Sequence, residues 1–168
     1  MKRTGCLFLA ALLFCCAAGC HYSDSGDILE PVEFCYPRHS DHFIYGGQDG
    51  IWGSEIREAS GHIDDLNYLL SMYMRGPQSD HLRSPFPAQC RIQDIRYEDD
   101  TICLALTENF TNLENAELTI ACASLAKTCF SISDAERVQI TAVSASKTID
   151  ITLDKTSFLP ADDSAAAE

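Results

Sequence analysis

Residues 91–107 read RIQDIRYEDDTICLALT, and this stretch decides the fold. In its second half Ile102, Leu104 and Leu106 alternate with other residues, the period of a strand with one face in a core. Glu98-Asp99-Asp100 breaks the pattern with turn residues. In the first half Ile92 and Ile95 are out of phase, which places a bulge near Gln93-Asp94. The stretch is therefore a β-hairpin, with strands from Arg91 to Tyr97 and from Thr101 to Thr107.

Downstream, Leu118, Ala121, Cys122, Leu125 and Cys129 repeat at helical spacing and predict a helix from Leu113 to Thr128. Thr111 and Glu114 are spaced as a capping box. Val138, Ile140 and Ala142, then Ile149, Ile151 and Leu153, alternate with period two and form a second hairpin around Ser144 to Lys147. Upstream, Ile63, Leu66, Leu69, Leu70 and Tyr73 predict a helix from His62 to Arg75. Gly76 caps it in the left-handed region and Pro77 prevents its continuation.

Pro77 to Ala88, with Pro85 and Pro87, is an extended loop. Val32, Phe34 and Tyr36 share one face of a strand between Ile28 and Tyr36, and Pro31 puts its start near a sheet edge. The glycine-rich stretch 37–50 is a loop with a short strand at Phe43 to Tyr45, and the chain extends again from Ile51 to Glu58. Each amphipathic helix needs a surface to cover, and one sheet face serves both. The expected architecture is a single α+β domain over residues 28–158, a mixed or antiparallel sheet with two helices packed on one face. Residues 159–168 are expected to be a flexible acidic tail.

The first twenty residues are of another kind. Lys2 and Arg3 precede an apolar run from Cys6 to Phe14, which ends in Ala17-Ala18-Gly19-Cys20. A charged start, a short apolar stretch and small residues before a cut site mark an export signal. The ending resembles the lipobox of bacterial lipoproteins. That resemblance implies cleavage before Cys20 and a diacylglycerol on its sulfur, two chains being enough for stable anchoring. Residues 21–27 then read as a tether, and the protein is expected at the cell membrane, lipid-anchored on the extracytoplasmic face.

The 168-residue chain carries a formal charge of −13, and loss of Lys2 and Arg3 takes it to −15. Such a surface repels phosphate backbones, so nucleic acid is not an expected partner. Of nine cysteines, Cys6, Cys15 and Cys16 leave with the signal and Cys20 is the lipid acceptor. Cys35, Cys90, Cys103, Cys122 and Cys129 remain, and buried thiols acting as small apolar groups account for most of them. Cys122 and Cys129 lie roughly 10 Å apart along a helix axis, too far for a disulfide.

Sites for chemistry are sparse. His39 and His42 flank Asp41 in a loop, yet no second Cys or His pair supplies a metal shell, so no metal is expected. Cys90 precedes Arg91 and follows a loop with His81, but a core thiol explains it better than a nucleophile. The chain has no GxSxG elbow, no glycine-rich phosphate loop and no HExxH helix. Asp64-Asp65 suits a helix N-terminus and Asp99-Asp100 a hairpin turn. Asn109-Phe110-Thr111 fits a glycosylation sequon, which a bacterial lipoprotein does not normally use. Trp52 is expected to cover the core edge. A ligand-binding or hydrolytic site in the loops of His39, Trp52 and His81 is the alternative to a non-catalytic protein.

Four segments together resemble a known family. They are the helix end Arg75-Gly76-Pro77, the loop Leu82-Arg83-Ser84-Pro85-Phe86-Pro87, the strand Ile102 to Leu106 with trailing Phe110, and Trp52-Gly53-Ser54-Glu55-Ile56-Arg57. In order and spacing they are similar to the GerMN domain of sporulation and spore-germination proteins, over about residues 30 to 155. The resemblance implies an envelope lipoprotein without a known catalytic centre or cofactor, acting as a scaffold for other envelope proteins. Gly76, Pro77, Pro85, Pro87 and Phe110 would then be structural residues of the motif.

Overall fold

The computed structural model describes residues 30–43 and 50–158. The lipobox, the tether and the acidic tail lie outside these residues. Strands β1 (Pro31–Pro37) and β2 (Trp52–Glu58) form an antiparallel two-stranded sheet. Helix α1 (Leu66–Met74) follows, then the proline loop. Strands β3 (Ile92–Glu98) and β4 (Thr101–Leu106), helix α2 (Asn115–Ile132), and strands β5 (Arg137–Val143) and β6 (Thr148–Asp154) complete the chain. The second sheet has the order β3-β4-β5-β6, with two antiparallel hairpins joined by parallel pairing of β4 and β5. Helix α2 is the crossover that parallel pairing requires. The fold is thus a mixed α+β domain.

The hairpin read from residues 91–107 is present. Its register shifts between Ile92 and Asp94, where the phase break in the sequence placed a bulge. Asp99 sits in the turn at φ 54°, a conformation Asp tolerates better than most residues. Ile102, Leu104, Leu106, Val138, Ile140 and Ala142 are buried on one face. The opposite face carries Asp94, Arg96, Glu98, Gln139 and Asp150, all wholly or partly exposed.

Three expectations change. Helix α1 starts at Leu66 and not His62, because the Asp65 carboxylate accepts the Tyr68 N–H at 3.0 Å and sets the N-cap there. Helix α2 starts at Asn115 and runs on to Ile132, four residues past Thr128. The Thr111–Glu114 capping box does not form. Thr111 lies in a 3-10 turn (Glu108–Asn112) and donates to the Glu108 carbonyl at 2.7 Å. Residues 44–49 lie outside the described part, so the short strand at Phe43 to Tyr45 does too, apart from Phe43, which ends the turn Ser40–His42.

Helix α2 is buried on more than one flank. Ser124 and Thr128 lie roughly 150° around the axis from the group Cys122, Ala126 and Cys129, and all five are buried. The first pair meets β1. Thr128 Oγ1 accepts the Cys35 N–H at 3.0 Å, and Ser124 Oγ donates to the Cys35 carbonyl at 2.7 Å. Cys35 pairs with Ser54 of β2 on its other side. The hydroxyls of α2 thus satisfy backbone groups of β1 that its sheet partner does not reach. This links the two-stranded sheet to the rest of the core.

Candidate functional site

The motif residues converge on a polar clamp between β2 and the end of α1. Gly76 takes φ +87° and its N–H bonds the Tyr73 carbonyl at 3.0 Å, the left-handed helix end read from the sequence. Helix C-termini leave carbonyls without partners. Arg57 supplies a donor for one of them, Nη1 to the Met72 carbonyl at 3.0 Å, and its Nη2 donates to the Gly76 carbonyl just beyond the helix at 2.6 Å. A cation there also complements the helix dipole.

Two residues earlier on β2, Glu55 holds the chain beyond the helix. Its Oε2 accepts the N–H groups of Gln78 and Ser79 at 2.8 and 2.9 Å, and its Oε1 accepts from Arg57 Nε at 2.5 Å. Both side chains are largely buried, Arg57 at 7% and Glu55 at 12% exposure. Burial alone pushes the Glu55 carboxyl up. Its bonds from Ser79, Arg57 and Gln78 outweigh that and hold it below the usual range.

The clamp continues into the core. Arg57 lies 5.3 Å from the Phe34 ring centre and 5.8 Å from that of Tyr36. The Tyr36 hydroxyl donates to the Tyr73 carbonyl at 2.8 Å, and the Tyr73 hydroxyl meets Ser124 Oγ at 2.8 Å. Tyr36 and Tyr73 stack at 4.7 Å. Desolvation pushes both phenols far above their ordinary range, so they stay neutral donors. No buried side-chain polar atom among the described residues lacks a partner.

The proline loop is fastened beside the clamp. Arg83 N–H bonds the Pro37 carbonyl at 2.9 Å and His39 N–H bonds the His81 carbonyl at 3.0 Å. Leu82 and Pro85 are buried, and Cys90 N–H closes a turn onto the Pro87 carbonyl at 3.1 Å. Phe86 bridges Tyr73 and Phe110 at 5.7 and 6.4 Å between ring centres. Phe110 is fully buried. Of the other motif positions, Gly76, Pro77 and Pro87 are half-buried.

The histidine loops assemble only in part. His42 Nε2 and His81 Nδ1 lie 3.1 Å apart on the surface. Trp52 is half-buried and lines a separate cleft that holds no histidine. The described residues contain no group of three or more metal-ligating side chains suited to an ion. Cys90 lies in a groove of about 580 Å³ between α1 and β3. Burial pushes its thiol up, the opposite of an activated nucleophile, though its bond with Thr107 pulls the other way. The Asn109 side chain is engaged with Thr107 and the Ala88 carbonyl. Cys90, Cys103, Cys122 and Cys129 are free thiols.

The sequence signalled Glu55 and Arg57 only as part of a motif. Their contacts lie about twenty residues away, at a helix end whose orphan carbonyls no periodicity reveals. The class defined here is an α+β module in which Glu55 and Arg57 brace a helix terminus. A family model described as Germane, sporulation and spore germination, matches residues 53–144. The span covers the clamp, the proline loop and the sheet through β5, and the chain belongs to this family. Among solved structures, the chain is similar to a proposed lipoprotein from Clostridium perfringens, a 2.5 Å crystal structure. It shares 14% identity with that protein at a TM-score of 0.46, over 77% of this chain and 91% of the other. No curated protein matches the sequence.

Proposed function

We propose that this protein is a lipid-anchored, non-catalytic module that binds other envelope proteins in sporulation or spore germination. The observation that carries this reading is the Germane match over residues 53–144. Two features support it. The sequence Ala17-Ala18-Gly19-Cys20 has the small residues and the cysteine that acylation needs. The Glu55 and Arg57 side chains of the motif are spent on bracing the end of α1 and the loop beyond it. No helix among the described residues is long and apolar enough to cross a membrane, so membrane attachment in this reading rests on the diacylglycerol at Cys20. Nine residues separate Cys20 from Glu30, a reach of roughly 30 Å at most. The domain would work close to the lipid surface, where tethering raises local concentration and weak contacts suffice.

The test is metabolic labelling with a fatty-acid analogue, followed by crosslinking in cells. The expected result is label on the wild-type protein, none on Cys20→Ser, and crosslinks to exported proteins that the Cys20→Ser variant loses. An unlabelled wild-type protein recovered from the cytosol overturns the anchoring. Turnover of an envelope substrate by the purified protein overturns the non-catalytic assignment.

A further inference from the structure

One cleft gathers positive charge in a chain that is otherwise strongly acidic. It lies between the β1–β2 hairpin, the last turns of α2 and the 3-10 turn Lys155–Phe158, and has a volume of about 370 Å³. That is within the range of small-ligand pockets, roughly 300–1,000 Å³. Arg38, Lys127 and Lys155 line it, and each is half-buried. The walls are aromatic: Trp52, Phe130 and Phe158. Glu33 is the one carboxylate of the lining and is exposed, so the cleft carries net positive charge.

Several other cations of the domain are already held. Arg57 is held by Glu55, Arg96 by Asp94 and Glu98, and Arg137 by Asp100. Lys147 donates to the carbonyls of Thr111 and Leu113. In the cleft, neither Arg38 nor Lys127 pairs with a carboxylate among the described residues, and Lys155 meets only Glu136, at 3.7 Å. Arg38 Nε donates to the Trp52 carbonyl at 2.5 Å, which anchors the guanidinium and leaves its terminal nitrogens for another acceptor. Lys127 Nζ stands 5.4 Å from the centre of the Phe158 ring, which itself packs on Phe130 at 5.9 Å. Arg38 and Lys127 are thus half-buried without a counter-charge among the described residues, a desolvation cost that an anion would offset. The aromatic walls give that anion an apolar body to bury.

We propose that this cleft binds a carboxylate on an aromatic or apolar body, the anion held by Arg38, Lys127 and Lys155 and the body by Trp52, Phe130 and Phe158. The ligand is a free small acid or the C-terminal residue of a peptide, which share this chemistry. The site stands independently of the lipid anchor and of the family's role.

Trp52 is the one tryptophan of the chain, so its fluorescence reports the cleft directly. The experiment titrates the full-length protein with phenylacetate, with its neutral amide phenylacetamide, and with the dipeptide acid N-acetylglycyl-phenylalanine. Phenylacetate is expected to shift Trp52 emission saturably, with the amide at least about tenfold weaker. Lys127→Gln and Lys155→Gln each weaken the acid about fivefold. Arg96→Gln, on the opposite face of the four-stranded sheet, leaves it unchanged. A dipeptide that binds more tightly than phenylacetate assigns the site to a chain terminus, and equal or weaker binding assigns it to a small acid. Equal response to acid and amide overturns the proposal in the wild-type protein alone. So does the absence of a saturable response up to about 10 mM, the weak end of useful affinity.

Discussion

Arg57 Nη2 donates to the Gly76 carbonyl at 2.6 Å, across nineteen positions of sequence. The bond ties an edge of the small sheet to the end of helix α1, and Glu55 extends the tie to the loop beyond. Removing Arg57 strands the Met72 and Gly76 carbonyls and leaves the Glu55 carboxylate largely buried without its cationic partner. Arg57→Ala is expected to destabilise the domain by about 3–5 kcal/mol, the range for breaking a buried ion pair on one side. Urea denaturation checks this, and a change below about 1 kcal/mol contradicts the clamp.

Acid should loosen the same place. The folded-state pKa of Glu55 is depressed, so its ionised form favours the folded chain. That contribution is present above the unfolded-state value of about 4.3 and is lost as pH falls through the lower folded one. Wild-type stability should therefore decline in that acid window. Glu55→Gln should be less stable at neutral pH and show a shallower decline. Parallel slopes for the two proteins would assign the acid response elsewhere.

Gly76 tests the helix end by backbone conformation alone. A Cβ there would meet only Ser84 Cβ, at 3.7 Å, so space is not the obstacle; φ +87° is. Gly76→Ala is expected to cost about 1–2 kcal/mol, the penalty for a side chain in the left-handed region. Thermal unfolding would show a lowered midpoint with secondary structure retained by circular dichroism.

Thiol labelling separates the cysteines. Burial pushes Cys122 up to about 11 and Cys129 up to about 12. Neither forms appreciable thiolate at neutral pH, so each should react only as fast as the protein opens. Both should therefore label in urea-unfolded protein and stay unlabelled in the native state. Rapid native-state labelling of Cys129 would mean that helix α2 is not packed as described.

What the sequence made legible was local. The bulge at Gln93-Asp94 showed because Ile92 and Ile95 break a period of two, and the end of α1 showed because Gly76-Pro77 has one common meaning. The start of α1 was misplaced because Ile63 continues the apolar spacing while Asp65, two residues later, captures the Tyr68 N–H. The Thr111–Glu114 signal failed for a related reason: a 3-10 turn offered Thr111 a nearer acceptor. The parallel pairing of β4 with β5 and the roles of Glu55, Arg57, Ser124 and Thr128 depend on partners far away in sequence. No periodicity encodes them. The cleft of Arg38, Lys127 and Lys155 is likewise assembled from three distant segments, and composition showed only that cations are scarce.

The hydroxyls of Ser124 and Thr128 at Cys35 have one more consequence. A strand with a bare rim is a template on which a second chain can add itself, and stacking of that sort ends in aggregates. Because α2 already occupies the rim of β1, this strand offers no such template. The cover at the Cys35 carbonyl is redundant, since the Tyr73 and Thr128 hydroxyls also reach it at 3.2 and 3.3 Å, so loss of the Ser124 hydroxyl alone leaves the strand guarded against self-association.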